Sequence, residues 1–131
     1  MEKPNPTSGL RHIALFVKNL EACVDFYTKL IDMKIEWQPD ADNYYLTSGH
    51  DNLALHRLKS DTPFNGPQRL DHVGFILNEL ADVEQWCEYL RVNNVIIKAE
   101  PRTHRDGTRS FYCADPDGNL VQMIYHPALV K

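Results

Sequence analysis

Hydrophobic and polar positions along this chain follow two rhythms, and each rhythm occurs twice. LRHIALFVKNL (residues 10–20) and LDHVGFILNEL (residues 70–80) alternate as strands do, with a histidine third in each run. At a shift of 60 residues Leu10 meets Leu70, His12 meets His72, Ile13 meets Val73 and Leu20 meets Leu80, without a gap. A three-and-four spacing comes after each strand, at Leu20, Cys23, Tyr27 and Leu30 and then at Leu80, Val83, Cys87 and Leu90, which predicts two helices with one buried stripe each. Asn19 and Asn78 stand near their starts as candidate caps. Short strand-like segments come next: KIEWQ, NYYLTS and NLALHRL in the first half, VIIKAE, TRSFYCA and NLVQMIY in the second. SGHDN and DPDGN provide the last turn of each half.

Both halves therefore read β-α-β-β-β, and the expected fold class is α+β. The first module is predicted over 10–58 and the second over 70–126, with 1–9 a flexible N-terminal segment and 59–69, KSDTPFNGPQR, the linker. One helix covers only one face of a four-stranded sheet, so the other faces are expected to enclose a cleft. Side chains alternate along a strand, so His12 shares a face with Ala14 and Phe16, and His72 with Gly74 and Ile76. Ile13, Leu15 and Val17, like Val73, Phe75 and Leu77, can pack beneath the helices, which leaves both histidines directed into the cleft. Aligning LALHR with LVQMI through the preceding turns adds His56 and Gln122 to the same lining.

A histidine in an apolar strand is usually a hydrogen-bonded interior residue. Two at repeated places facing one cleft partner each other poorly unless a cation or water lies between them. Imidazole nitrogen and amide oxygen are both metal donors, so His12, His56, His72 and Gln122 form a candidate site for a divalent ion: zinc, nickel, iron, manganese or cobalt. His50, His104 and His126 read as surface residues.

Composition narrows the class. A chain of 131 residues with 43% hydrophobic content supports one compact core or two small fused halves. A net charge of −4 without long runs of one sign argues against a nucleic-acid or anionic-membrane surface and toward a small-molecule partner. There is no apolar stretch near the roughly 20 residues that span a bilayer, and MEKPNPTSG lacks the apolar core of a secretory signal. Cys23, Cys87 and Cys113 have no CxxC spacing and read as reduced thiols. A cytoplasmic protein is expected.

The doubled plan, RHIALFVKNLEACVDFYTKLIDMKI, LDHVGFIL and DPDGNLVQMI resemble the vicinal oxygen chelate superfamily over residues 10–126. That superfamily includes lactoylglutathione lyase, methylmalonyl-CoA epimerase, fosfomycin-modifying transferases, extradiol dioxygenases and bleomycin-binding proteins. The resemblance implies one compact glyoxalase-like domain, its tandem βαβββ modules forming a curved eight-stranded mixed sheet around a cleft. It also implies metal ligands from the first and last strands of each module, here His12, His56, His72 and Gln122. The last of these is usually Glu. Without a carboxylate the dication stays uncompensated, which favours an anionic substrate or hydroxide and leaves His56 as candidate base.

Tyr44, Tyr45, Trp37, Phe111 and Tyr112 can supply aromatic wall, only one of each adjacent pair facing inward. Lys98, Arg102, Arg105 and Arg109 make a basic loop, of which Arg109, with Tyr112, is the candidate substrate contact. The expected function is a glyoxalase-like metal-dependent enzyme acting on vicinal oxygens, as isomerase, lyase or relative. The alternatives are a non-catalytic binding module of the bleomycin-resistance type and a single-domain dioxygenase-like protein. Exposed strand edges suggest a homodimer.

Overall fold

The computed structural model describes residues 2–3, 6, 10–59 and 70–130. The chain divides into two compact units, Met1–Asp61 and Thr62–Lys131. The segment 1–9 and the linker 59–69 lie, apart from residues 2, 3, 6 and 59, outside the described residues.

The first unit contains β1 (His12–Val17), α1 (Leu20–Asp25), a π turn (Phe26–Leu30), β2 (Lys34–Asp40), β3 (Asn43–Thr47) and β4 (Asn52–Arg57). The second contains β5 (Val73–Leu77), α2 (Asp82–Val92), β6 (Ile97–Thr103), β7 (Arg109–Ala114) and β8 (Leu120–Tyr125). Each unit builds one four-stranded mixed sheet, ordered β1-β4-β3-β2 and β5-β8-β7-β6. The eight expected strands are thus all present, four to a sheet. The first strand of each unit pairs in parallel with the last, and the hairpins are antiparallel.

Alternation along β1 works as expected. Leu15 and Val17 are buried, whereas His12, Ala14 and Phe16 are exposed. Leu20, Cys23 and Tyr27 close over the buried side, where Leu46, Leu53 and Leu55 complete a core. In the second unit Val83, Cys87 and Leu90 of α2 cover Val73, Leu77, Phe111, Cys113, Val121 and Met123. Each fully buried large apolar side chain contributes about 1.5–3 kcal/mol over leaving it in water. All three cysteines are free and buried. Loss of hydration pushes the Cys113 thiol up to about 12, with the Asp115 and Cys87 charges acting in the same direction, so it is inert at neutral pH.

The helix starts differ from expectation. Asn19 occupies the position before α1, and its carbonyl accepts the Cys23 N–H at 2.9 Å. Asn78, however, lies ahead of α2, which begins at Asp82. There the Asp82 carboxylate accepts the Glu79 N–H at 3.1 Å, and Leu80 is left 53% exposed in the preceding turn rather than in the buried stripe. The chain leaves α1 through the π turn, with Ile31 N–H donating to Phe26 O at 3.1 Å, and then Asp32 takes φ 73°. Asn94, with φ 65°, has the same left-handed place after α2. Short polar side chains tolerate this conformation at helix ends. Both last turns use a left-handed glycine, Gly49 at φ 114° and Gly118 at φ 87°.

The edge hairpins carry matched irregularities. The β2–β3 ladder shifts register between Ile35 and Trp37 and again between Trp37 and Asp40. The β6–β7 ladder shifts between Ile97 and Ala99 and again between Ala99 and Arg102. Each bulge inserts a residue and reverses the facing of the side chains beyond it. Trp37 thereby falls opposite Tyr45, and Arg102 opposite Ser110.

Candidate functional site

The open face of the second sheet holds a cavity of about 500 Å³ whose lining includes His72, Arg102, His104, Arg105, Tyr112 and Gln122. Register explains this company. Gln122 lies opposite Gly74 on one side and Tyr112 on the other, so the three share a face, and His72 precedes Gly74 by one alternation. The His72 and Tyr112 rings meet edge to face at 5.3 Å. Gly74 lies beside the Gln122 amide: a Cβ there would stand 3.8 Å from Oε1, in ordinary van der Waals contact.

His72 Nδ1 lies 2.6 Å from Asp71 Oδ1. A carboxylate only accepts, so Nδ1–H donates, and the tautomer with its proton on Nδ1 keeps the Nε2 lone pair for a ligand. His12 is prepared similarly: Nδ1–H donates to Asn52 Oδ1 at 2.7 Å, and Asn52 Nδ2 donates to Glu36 at 2.8 Å, which fixes the amide orientation. His56 repeats the device, donating to Asn43 Oδ1 at 2.6 Å, with Asn43 Nδ2 donating to Asp40 at 2.8 Å. Such outer partners orient metal-binding imidazoles.

Gln122 is nearly buried, and its Nε2 donates to Ser110 Oγ at 3.0 Å. Ser110 Oγ also meets His104 Nε2 at 2.9 Å. With the amide nitrogen engaged, Oε1 is the atom available to a cation. An amide oxygen and an Nε2 lone pair facing one cavity fit a divalent ion. Among the described residues no three His, Cys, Asp or Glu side chains gather as a cluster; of the donors that line this cavity, His104 and Asp106 are engaged with Ser110 and Thr108, which leaves the His72 imidazole and the Gln122 amide oxygen.

Register and side-chain pairing set two of the expected site residues apart from this cavity. Ala14 pairs with Ala54 in the first sheet as Gly74 pairs with Gln122 in the second, so the counterpart of Gln122 is Ala54. His56 instead pairs with Phe16 and corresponds to Ile124. His12, opposite Asn52, is four residues from that level, about 13 Å along the strands, so the two imidazoles do not meet at one ion within this sheet. Arg109 faces the helix side: its guanidinium is paired with Glu84 of α2 (Nε to Oε1 2.7 Å) and Nη1 donates to Thr103 Oγ1 at 2.9 Å. That contact holds the Glu84 carboxyl below the usual carboxylate range. Arg109 is thus committed to a structural ion pair, whereas Tyr112 lines the cavity.

His104, expected at the surface, is half-buried and belongs to the Gln122–Ser110 relay. Strand alternation from Tyr112 to Ser110 could have indicated the relay. Arg102 has no such signal, because its facing depends on the bulges. Of the adjacent aromatic pairs, Phe111 is fully buried, and Tyr45, not Tyr44, meets His56, at 5.8 Å.

Duplicated βαβββ units with this strand order define the glyoxalase-like fold, and the chain belongs to the Glyoxalase/Bleomycin resistance protein/Dioxygenase superfamily, whose model matches residues 9–123. The structure is similar to that of lactoylglutathione lyase from Agrobacterium tumefaciens (TM-score 0.78, 20% identity, covering 95% of this chain and 98% of that one). It is also similar to an integron cassette protein from the Halifax Harbour sewage outfall metagenome (TM-score 0.75, 26% identity, 92% and 100% covered). In sequence the chain is 30% identical over 119 residues to the metallothiol transferase FosB of Staphylococcus epidermidis, covering 88% of this chain and 80% of the relative. The FosB of Staphylococcus saprophyticus is 30% identical over 117 residues, with 88% and 75% covered. Among the described residues no helix is long and apolar enough to cross a membrane.

Proposed function

We propose that this chain is a metal-dependent enzyme acting on a small substrate with adjacent oxygens, and that its reaction is the addition of a thiol to a carbon of that substrate, the C–S bond forming as a C–O bond breaks and the released oxygen taking up the thiol proton. The observation that carries this reading is the pair of donors in the second unit: His72, its Nδ1 engaged by Asp71, and Gln122, its amide nitrogen engaged by Ser110. His72 Nε2 and Gln122 Oε1 would hold the ion. Zinc, nickel, iron, manganese and cobalt all accept such donors. A bound divalent ion supplies Lewis acidity toward the substrate oxygens.

The chain's own residues orient the substrate. Tyr112 forms the wall beside His72, and Arg102 and Arg105, set against the one carboxylate of Asp106, leave the cavity an excess of positive charge suited to an oxyanion. Ser110 keeps the Gln122 amide from rotating. Thiol transfer is preferred to isomerisation because relatives at 30% identity are metallothiol transferases, and because the ligand set lacks the carboxylate that proton transfer beside a carbonyl would use as base. Free buried thiols suit the cytoplasm, and open edge strands suit a homodimer.

The test is elemental analysis of untagged protein before and after chelation and reloading, followed by thiol-consumption assays against small oxygen-bearing electrophiles. Bound metal that is lost in His72→Ala, with thiol loss that requires the ion, is the expected result. No metal under any loading would overturn it and favour a binding module.

A further inference from the structure

Gln122 differs from His72 in having two unlike ends of nearly the same shape. An amide offers a cation its oxygen or turns its N–H groups toward it, so another group must choose between the two. Ser110 is 1% exposed, and among the described residues its Oγ has two partners, Gln122 Nε2 at 3.0 Å and His104 Nε2 at 2.9 Å. An amide nitrogen only donates, so Oγ accepts from Gln122, and the single hydroxyl proton is left for His104. His104 Nε2 therefore accepts, and the ring carries its proton on Nδ1. The turn between β6 and β7 fixes the backbone that bears this ring: His104 N–H donates to Thr108 O at 2.8 Å, and its carbonyl accepts the Gly107 N–H at 3.1 Å.

We propose that His104 is a positioning residue which, acting through Ser110, decides which end of the Gln122 amide faces the cavity. The proposal rests on the reading of Gln122 Oε1 as a metal donor. With an acceptor at residue 104 the relay runs from Gln122 through Ser110 to His104, and the oxygen faces the cavity. With a donor there the relay runs the other way. Ser110 Oγ accepts from residue 104 and gives its proton to Gln122 Oε1, which turns Nε2 to the cavity and takes the oxygen from the ion. A buried hydroxyl has one proton to give, so the two directions exclude each other. A carboxylate at position 122 has no wrong end, and there the choice disappears.

The test is a double-mutant cycle on the full chain, with zinc affinity read by competition with a chromophoric chelator. His104→Lys puts a donor without an acceptor at position 104 and should weaken zinc binding about tenfold, whereas in the Gln122→Glu background it should cost no more than about threefold. Equal losses in the two backgrounds would mean that the lysine acts by its charge alone, and would overturn the proposal. Two readings on metal-free protein stand beside the cycle. In ¹⁵N-histidine-labelled wild type in mildly alkaline buffer, His104 Nε2 should resonate as an unprotonated nitrogen. The Gln122 side-chain N–H groups should exchange with solvent more slowly than those of exposed Gln85, and His104→Lys should remove that protection. A protonated Nε2, or protection that survives in a folded His104→Lys protein, would overturn the proposal, and the wild-type resonance decides even where the variant does not fold. A protein that binds no metal would sink the enzyme reading while both metal-free readings still report on the relay.

Discussion

Ala14 and Ala54 face each other across β1 and β4 in the first unit, where Gly74 and Gln122 face each other across β5 and β8 in the second. Strand order, parallel pairing, left-handed helix exits and bulge positions repeat. The open faces do not. One carries a row of rings and imidazoles that end in amide–carboxylate relays, the other a polar cavity with two imidazoles, an amide, a carboxylate and two guanidinium groups. The contrast teaches that backbone register is held by the buried faces, which must pack against helices, while the open faces are free to diverge in chemistry.

The comparison can be broken most heavily at its buried side. Phe111→Ala empties a fully buried site and should cost about 3–5 kcal/mol in urea unfolding, whereas Phe16→Ala, at a half-exposed ring that keeps contact with His56, should cost about 1 kcal/mol. Equal costs would mean that the open face of the first sheet is packed rather than displayed.

Next come the imidazoles. His72→Ala should reduce metal affinity by about 100-fold or more, Asp71→Ala should reduce it about tenfold through the loosened His72, and His56→Ala should leave it unchanged, all read by competition with a chromophoric chelator. A loss on changing His56 would restore it as a ligand.

Gln122→Glu sharpens the difference between the units by adding the charge that an uncompensated dication lacks. Metal affinity should rise about tenfold near neutrality, and the gain should vanish as pH falls and the new carboxyl protonates. A gain independent of pH would mean that residue 122 does not contact the ion.

The smallest effect is at Arg109. Its partner Glu84 has a carboxyl held below the ordinary value of 4.5, so the stabilisation is present above that pH and is lost as pH falls through the lowered value. Because the pair is half-exposed, Glu84→Gln should cost under about 1 kcal/mol at pH 7 and nothing near pH 2. Thermal unfolding at the two pH values separates this from a packing effect, which would persist in acid.

The doubled plan and the facing of β1 were legible because period-two and three-and-four spacings report directly which side is buried: Leu15 and Val17 went under, and His12 stayed out. His72 and Gln122 came from the same parity. The position of His56 did not, since loops of different length precede β4 and β8 and only the paired backbone shows that Ala54 is the true counterpart. The facing of Arg109 is not legible in the sequence, because a cation at a strand start has no sign of its own; it depends on Glu84, twenty-five residues away on a helix. His104 was missed because its partner, Ser110, is small and buried and carries no pattern.

The repeated bulges also bear on how this scaffold changes over generations. Removing one residue from β6 between Ile97 and Arg102 would turn Arg102 out of the cavity and bring a neighbour in, with the β7 side chains and the core untouched. Substrate preference in such a protein can therefore shift by single-codon insertion or deletion in an edge strand, a route that scans limited to amino-acid replacements would never sample.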